Sequence, residues 1–427
     1  MKRTMAIVFA IIGVVFLAGC GSKGQGKVRT VTWMTVRPQM EGNNFQVVAA
    51  LCEEYSAMHP DFKVEFMAIG DRPAYYQKLK ILASNNELPE IFDAEGDSLT
   101  AQIASTGALV DIDKLYDELN YNGRILNIGK NYARLANGKL YCLAWENNVE
   151  YIWYRKDLFA KAGIQKPPET FDEFLEVCEK LKKAGINPIS TWGNEAWPLL
   201  RWMAFIPFRL RGNDYIENLK LGKAKMADPV GIQAATFFQK LGMNYFMPGW
   251  ATAAYNDALD TFLSNNAAMY YIGSWQFNSF LDEKNELKGD YDFFYMPTLP
   301  GAINGKTDMW AHAGTGTALR KDTFDDQMKD FIKFILDKYP DRSYKDMKSF
   351  PAATFDTSGL SKFERHVMDD CENLTSYGYC WDVRMDAAST EVMTKEIINL
   401  GMGSITPQEF AQRIDAAIAV NAPKFFE

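Results

Sequence analysis

From residue 28 onward the chain alternates short β-branched and aromatic runs with longer segments whose apolar positions recur at three- and four-residue spacing. Residues 28–36 (Val-Arg-Thr-Val-Thr-Trp-Met-Thr-Val) read as a buried strand, and 37–44, with Pro38, Gly42 and two asparagines, as a loop. Phe45, Val48, Ala49, Cys52 and Tyr55 fall on one helical face, His59-Pro60 closes that helix, and 64–69 is a second strand. Tyr76, Leu79, Leu82 and Ala83 share a face of the next helix, over 73–83. Strand, loop, helix, strand is the opening of an open α/β domain, in which ligands sit beyond the carboxyl ends of the strands. Glu41, Asn43 and Asn44 occupy that crevice position, as ligand contacts or as plain turn formers.

The middle of the chain breaks the pattern. In 141–164, Tyr151, Ile152, Trp153 and Tyr154 predict a strand, but Glu146, Asn147, Asn148 and Glu150 interrupt its apolar course. Buried polar groups are costly without partners. The segment is therefore either a strand that lines a cleft or an edge strand with one solvated face. A helical turn follows from Asp157, with Gly163 to end it. Thr170 and Glu173 form a capping box, Phe171, Phe174, Cys178 and Leu181 line one face of its helix, and Gly185 stops it. A strand over 186–190 leads into a loop that holds Trp192, Glu195 and Trp197. Further helices are predicted from Asp228-Pro229 to a stop at Gly242, over 251–263, over 323–337, and from the capped start Thr406-Pro407-Gln408-Glu409.

The run Ile-Trp-Tyr-Arg-Lys-Asp-Leu-Phe-Ala-Lys-Ala-Gly-Ile (152–164), followed by Pro-Pro-Glu-Thr-Phe-Asp-Glu-Phe (167–174), resembles the first interlobe crossing of the extracellular solute-binding proteins. These are the ligand receptors of ABC importers, and the resemblance is narrower to their maltose- and oligosaccharide-binding branch. Arg155 stands where that pattern has Asn, and Phe171 where it has Trp. Leu88-Pro89-Glu90-Ile91 resembles the family's Leu-Pro-Asp-Ile, with Glu90 for Asp, and 107–112 its Gly-x-Leu turn. Ala268-Met269 to Gly273-Ser274-Trp275 resembles the strand whose last tryptophan stacks on ligand. Pro297 to Gly301, the strand 310–319 and Phe350-Pro351-Ala352 continue the match in order, so that it spans nearly the whole chain after residue 28.

What the resemblance implies is an α/β, periplasmic-binding-protein-like fold: two lobes with open mixed sheets joined by a three-crossing hinge. The crossings fall near 145–151, 305–312 and 337–345. Residues 28–147 plus 308–340 form the N-terminal lobe and 148–307 plus 341–427 the C-terminal lobe. The family's hydroxyl-binding carboxylate lands on Asp97, with Glu95 and Asp93 as alternatives in register; Asp97 also suits a plain N-cap for a helix over 98–105. Carboxylates suit a sugar because each accepts hydroxyl protons in charge-assisted bonds. Trp192 or Trp197 would stack on a pyranose while Glu195 takes a hydroxyl, and Trp275 is the foremost single ligand contact. Asn148 and Trp310, beside the crossings, complete the ligand-binding set.

Composition refines this picture at the N-terminus. Lys2 and Arg3 precede an apolar run over 5–16, shorter than a membrane span, that leads into Leu17-Ala18-Gly19-Cys20. That is a lipobox. Residues 1–19 are then a signal peptide, Cys20 is the lipidation site, and 20–27 form a flexible tether that holds the protein at the outer face of a bacterial cell membrane; the alternative is an ordinary secretory segment ahead of a chance cysteine. The 408 residues from Cys20 on suffice for two cores. Loss of Lys2 and Arg3, with no acidic residue before Cys20, takes the formal charge from −8 to −10, which argues against nucleic acid or an anionic surface as partner.

Cys52, Cys142, Cys178, Cys371 and Cys380 read as buried thiols, with a Cys371–Cys380 disulfide as the alternative in an oxidising compartment. His59, His312 and His366 show no metal spacing, no GxSxG elbow occurs, and 301–307 has one residue too few between its glycines for a phosphate-binding loop. No cofactor or metal is expected. The expected function is a monomeric, lipid-anchored receptor, not an enzyme, that captures a carbohydrate by lobe closure and hands it to an ABC-importer permease. The alternative is a surface glycoside hydrolase or lyase, with Asp97 and Glu195 offered as the carboxylate pair, which would need to stand ~5–10 Å apart.

Overall fold

A computed structural model describes residues 28–37, 45–135 and 137–422. Its strands are β1 (Arg29–Thr35), β2 (Phe62–Ala68), β3 (Ile91–Ala94), β4 (Asn148–Arg155), β5 (Asn187–Ser190), β6 (Ala267–Gly273), β7 (Tyr291–Phe294), β8 (Met309–His312), β9 (Gly316–Leu319) and β10 (Tyr377–Gly378). They form two sheets. The first has the order β2-β1-β3-β9, with β1 parallel to β2 and β3 and β9 antiparallel to β3. The second has the order β10-β8-β4-β6-β5, with β7 paired to β4 as well. Both are open and mixed, and helices flank them, as the hydrophobic pattern predicts.

β4 is the axis of the second sheet. Every residue of it is buried, which explains its run of aromatic and β-branched side chains. β6 pairs along one edge (Tyr151 opposite Ile272, Trp153 opposite Tyr270), while β7 and the short β8 share the other. Trp153 sits in a nest of Phe277, Phe280, Phe293 and Phe363. In the first lobe the helix Phe45–Met58 lies between β2 and the long helix Asp326–Met347, joined by rings of Tyr55, Phe62, Phe331 and Phe334.

Local signals fix the helix starts. The Thr170 hydroxyl accepts the Glu173 N–H at 3.2 Å while Glu173 accepts the Thr170 N–H at 3.2 Å, and Thr406 and Glu409 repeat the device. Gly163 and Gly185 close their helices at positive φ. Gly242 does not: the helix runs Pro229–Asn244, through it. A Cβ at Gly242 would stand 2.4 Å from the Gly401 carbonyl oxygen, so the glycine lets two helices touch rather than stopping one. The helix expected over 251–263 begins only at Tyr255, and the one expected over 323–337 runs from Asp326 to Met347, through Pro340.

Three segments join the lobes, but two lie later than expected. Met309–His312, expected in the N-terminal lobe from residue 308, pairs with β4 and β10 in the second sheet, and the chain reaches the first sheet only at Gly316. The second crossing is thus 313–315. Residues after 340 also stay with the first lobe: Leu126 N–H donates to the Ala352 carbonyl at 2.8 Å, and Thr354 N–H to the Arg124 carbonyl at 2.8 Å. The second lobe touches this stretch where Asn278 Nδ2 donates to the Met347 carbonyl at 2.7 Å, and again at Ser361, whose hydroxyl donates to the Asn285 carbonyl at 2.7 Å. Helix continuation through Pro340 and the buried Phe350 carry the chain past the expected boundary. All five described cysteines are free thiols, so the Cys371–Cys380 disulfide is absent; Cys380 is buried against Arg201 and Tyr132 instead. Residues 1–27, and with them Cys20, lie outside the described residues. Among the described residues no helix is long and apolar enough to cross a membrane.

Candidate functional site

The carboxyl ends of β1 and β3 and the amino end of β9 meet β4, β6 and β8 around a cavity of about 490 Å³. The first lobe contributes charge to it: Arg37 after β1, Arg72 at the start of the helix Arg72–Ser84, and Glu95 after β3. The second lobe contributes rings: Trp197 and Arg201 from the first turns of the helix Trp197–Arg211, Tyr255 from the first turn of Tyr255–Leu263, and Trp275 just past β6. Glu146, Asn148, His312 and Gly314 come from the crossings between them.

Each charged group here is tied down. Arg72 donates to Glu95 Oε1 at 2.7 Å, and the Thr315 hydroxyl donates to the same oxygen at 3.0 Å. Arg37 faces the buried Asp93 at 3.4 Å and donates to the Thr315 carbonyl. Arg201 bridges Asp382 at 2.8 Å and Glu150 at 3.4 Å, with its guanidinium 5.3 Å over the Trp197 ring. Burial pushes the Glu150 carboxyl up, yet Arg201 and a hydrogen bond from His312 outweigh it and hold the group below the usual carboxylate range. Asn148 uses both ends of its amide: Nδ2 donates to Glu146 Oε2 at 2.6 Å, and Oδ1 accepts from the Ser274 hydroxyl at 2.7 Å. Most of the polar interruption of β4 is therefore partnered in two groups across the first crossing, Glu146–Asn148–Ser274 and Glu150–His312–Arg201, while Asn147 Oδ1 is buried without a partner among the described residues.

The aromatic wall is a chain of ring contacts. Trp197 and Trp275 lie 6.0 Å apart at 62°, and Trp275 lies 5.3 Å from the His312 ring. Both indoles are partly exposed to the cavity. A flat apolar face beside fixed charged donors and acceptors can hold a molecule with one apolar face and a rim of hydroxyls. Among the described residues no group of three or more His, Cys, Asp or Glu is placed to hold a metal ion.

Of the residues singled out from sequence, Glu95, Asn148, Trp197 and Trp275 line the cavity. Trp192 does not: it is 0 % exposed, wedged between Trp197, Tyr255 and Tyr270. The next residue, Gly193, lies so close to the Ala251 backbone that a Cβ would stand 2.6 Å from its carbonyl oxygen, so the loop packs tightly there. Trp310 is likewise core, 1 % exposed, against Phe205, Phe208 and the backbone of Gly378. Asp97 caps the helix Ser98–Ser105, accepting the Thr100 N–H at 2.8 Å, and is absent from the cavity wall. Burial, with Glu95 nearby, raises its carboxyl to about 6. Asp93 is 0 % exposed and binds the Thr35 hydroxyl at 2.6 Å and the Val36 N–H at 3.0 Å, so it shapes the end of β1 from beneath. Glu195 is half-buried in its loop and off the wall, though its charge reaches Tyr255. Glu41, Asn43 and Asn44 lie outside the described residues. Sequence reading passed over Arg37, Arg72, Arg201, Tyr255, His312 and Asp382; Arg72 directly precedes the helix expected over 73–83 and Tyr255 lies inside the one expected over 251–263, and both stand at the observed starts of those helices.

Residues 42–338 match the family model described as bacterial extracellular solute-binding protein. The chain is 27 % identical over 308 residues to a maltotriose-binding protein of Pyrococcus abyssi, an alignment covering 71 % of this chain and 59 % of that protein. It is 23 % identical over 358 residues to a multiple sugar-binding protein of Streptococcus mutans, covering 79 % of each. Among solved structures, a chitin oligosaccharide binding protein superposes with a TM-score of 0.82 at 20 % identity, covering 93 % of this chain and all of that one. A raffinose-bound RafE superposes with a TM-score of 0.67 at 17 % identity, covering 91 % and 98 %. At those identities the likeness establishes the fold, which is the two-lobed periplasmic-binding-protein type.

Proposed function

Because the chain belongs to the bacterial extracellular solute-binding protein family, we propose that it is the lipid-anchored carbohydrate receptor of an ABC importer. The observation that carries this reading is the cavity between the lobes, with Trp197 and Trp275 on one wall and the fixed Arg72–Glu95 pair on the other. The indoles would lie against the apolar face of a sugar ring, and the paired charges would meet its hydroxyls. A ligand that touches both walls stabilises the closed form, so binding shifts an open–closed equilibrium. The closed form is what a membrane permease would receive. The names of the relatives, which include binders of maltotriose, multiple sugars and diacetylchitobiose, support an oligosaccharide.

The anchor rests on Leu17-Ala18-Gly19-Cys20, with a diacylglycerol on the Cys20 thiol. The protein is read as a receptor and not as a hydrolase or lyase, since neither Asp97 nor Glu195, the pair that would serve hydrolysis, is on the cavity wall. The test is a thermal-shift panel on the chain from residue 21 onward with maltotriose, N,N′-diacetylchitobiose and raffinose, read beside product analysis. A ligand at one hundred times its Kd stabilises by about 2.7 kcal/mol. A shift with intact sugar is the expected result. Released product would overturn the receptor, and silence across the panel would overturn carbohydrate as the ligand class.

A further inference from the structure

Glu150 has no face on the cavity and is 2 % exposed, yet it lies at the root of both tryptophans that do. Its Oε1 accepts from Arg201 Nε at 3.4 Å and from His312 Nε2 at 2.9 Å. Those two partners line the cavity beside the indoles. The Arg201 guanidinium covers Trp197 at 5.3 Å, and the His312 ring stands 5.3 Å from Trp275. The two indoles then meet each other at 6.0 Å. The contacts close a ring: carboxylate, guanidinium, indole, indole, imidazole, and back to the carboxylate.

The imidazole in that ring has one orientation. The Gly314 N–H points at His312 Nδ1 at 3.0 Å, so Nδ1 accepts and the ring proton is on Nε2, directed at Glu150. Glu150→Gln keeps an acceptor oxygen but removes the negative charge that holds the Arg201 guanidinium and strengthens the His312 hydrogen bond, so both partners are held more weakly and each indole rests on a looser support. An Arg201 still paired to Asp382 keeps its charge compensated but is no longer drawn toward β4.

We infer that Glu150 is a positioning residue that sets the separation and tilt of Trp197 and Trp275, and through them which ring-shaped ligands the cavity accepts. This rests on the reading that the two indoles stack on the ligand. Its first test needs no ligand. Near-ultraviolet circular dichroism of the full chain is compared with that of Trp197→Phe/Trp275→Phe; the difference is the signal of the indole pair. Glu150→Gln is expected to lose most of that signal while far-ultraviolet dichroism is unchanged. Retention of the full signal overturns the inference. Glu150→Asp, which keeps the charge and withdraws it by one methylene, is the second variant if Glu150→Gln does not fold, and is expected to show a partial loss; full retention there overturns the inference equally.

The second test is maltotriose and N,N′-diacetylchitobiose binding by calorimetry. Glu150→Gln is expected to weaken the sugar that binds by about tenfold, the scale typical of removing a side chain that orients a ligand-holding group. A loss of dichroism with unchanged affinity for a bound sugar would overturn the specificity role. If the wild-type chain binds no sugar of the thermal-shift panel, the carbohydrate reading fails while the dichroism still decides the positioning role.

Discussion

Trp192 and Trp197 meet edge to face at 5.1 Å, but they serve different ends. Trp192 is wholly buried behind the wall, and Trp197 is the wall. Trp192→Ala is therefore expected to cost about 3–5 kcal/mol of stability, the range for truncating a buried aromatic, measured by chemical denaturation. Trp275→Ala should cost less stability than Trp192→Ala, because the ring is partly exposed, and weaken sugar binding about tenfold or more, about 1.4 kcal/mol, measured by calorimetry. Unchanged affinity would remove Trp275 from the site. Asp97 supplies a pH signature. Its carboxyl is raised in the folded state to about 6, above the ordinary range, so ionisation at neutral pH opposes folding and the cost is relieved as pH falls from about 6 toward 4. Asn caps a helix about as well as Asp. Asp97→Asn is thus expected to raise the melting temperature at pH 7.5 and to lose most of that gain by pH 4. An equal gain at both pH values would contradict the burial of this carboxyl. The alternation of strand and loop could place Trp192 and Trp197 together after β5, but it had no means of showing that Trp192 is enclosed by Trp197, Tyr255 and Tyr270, the last two brought in from distant parts of the chain.

Among the elements, legibility followed periodicity and end signals. Helices with a capping box, such as Phe171–Lys183 and Pro407–Asn421, start where Thr170 and Thr406 predict. Ends written by a glycine were less secure, because a glycine serves two purposes. Gly185 closes a helix at φ +74°, whereas Gly242 stays helical and lies on Gly401. Gly242→Ala is therefore expected to destabilise by about 1–3 kcal/mol through overpacking, despite the higher helix propensity of Ala. Denaturant midpoints of the variant and wild type decide it; a stabilised variant would mean the two helices can part freely. The cavity's arginines were hidden for a related reason. Arg37 follows a strand, Arg201 is inside a helix, and Asp382 sits in the four-residue helix Trp381–Arg384, so no local pattern links them; the sheet topology alone brings them together.

For the molecule as a whole, closure about the crossings predicts a more compact particle when sugar is bound. Small-angle scattering should show a smaller radius of gyration with saturating ligand, and Trp275→Ala at the same sugar concentration should not show it. Equal radii in the wild type with and without a bound sugar would mean that binding does not close the lobes. The order of the two lobes came with the resemblance carried by 152–164 and 268–275, while the crossing points were not legible, since β8 and the segment after Pro340 look the same whichever lobe they join.

The crossings do not run independently. Asn148 and Val149 pair with His312 and Ala311, Leu143 bridges Thr317, and Glu146 bridges Pro351. Segments laced side by side in this way bend out of their common plane far more easily than within it. On the proposed closure, the joint is expected to act as a door on a pin and not as a ball in a socket. One angle describes how far the door stands open, and dye pairs attached at any two places across the gap should trace a single shared transition, with the same midpoint and the same rate.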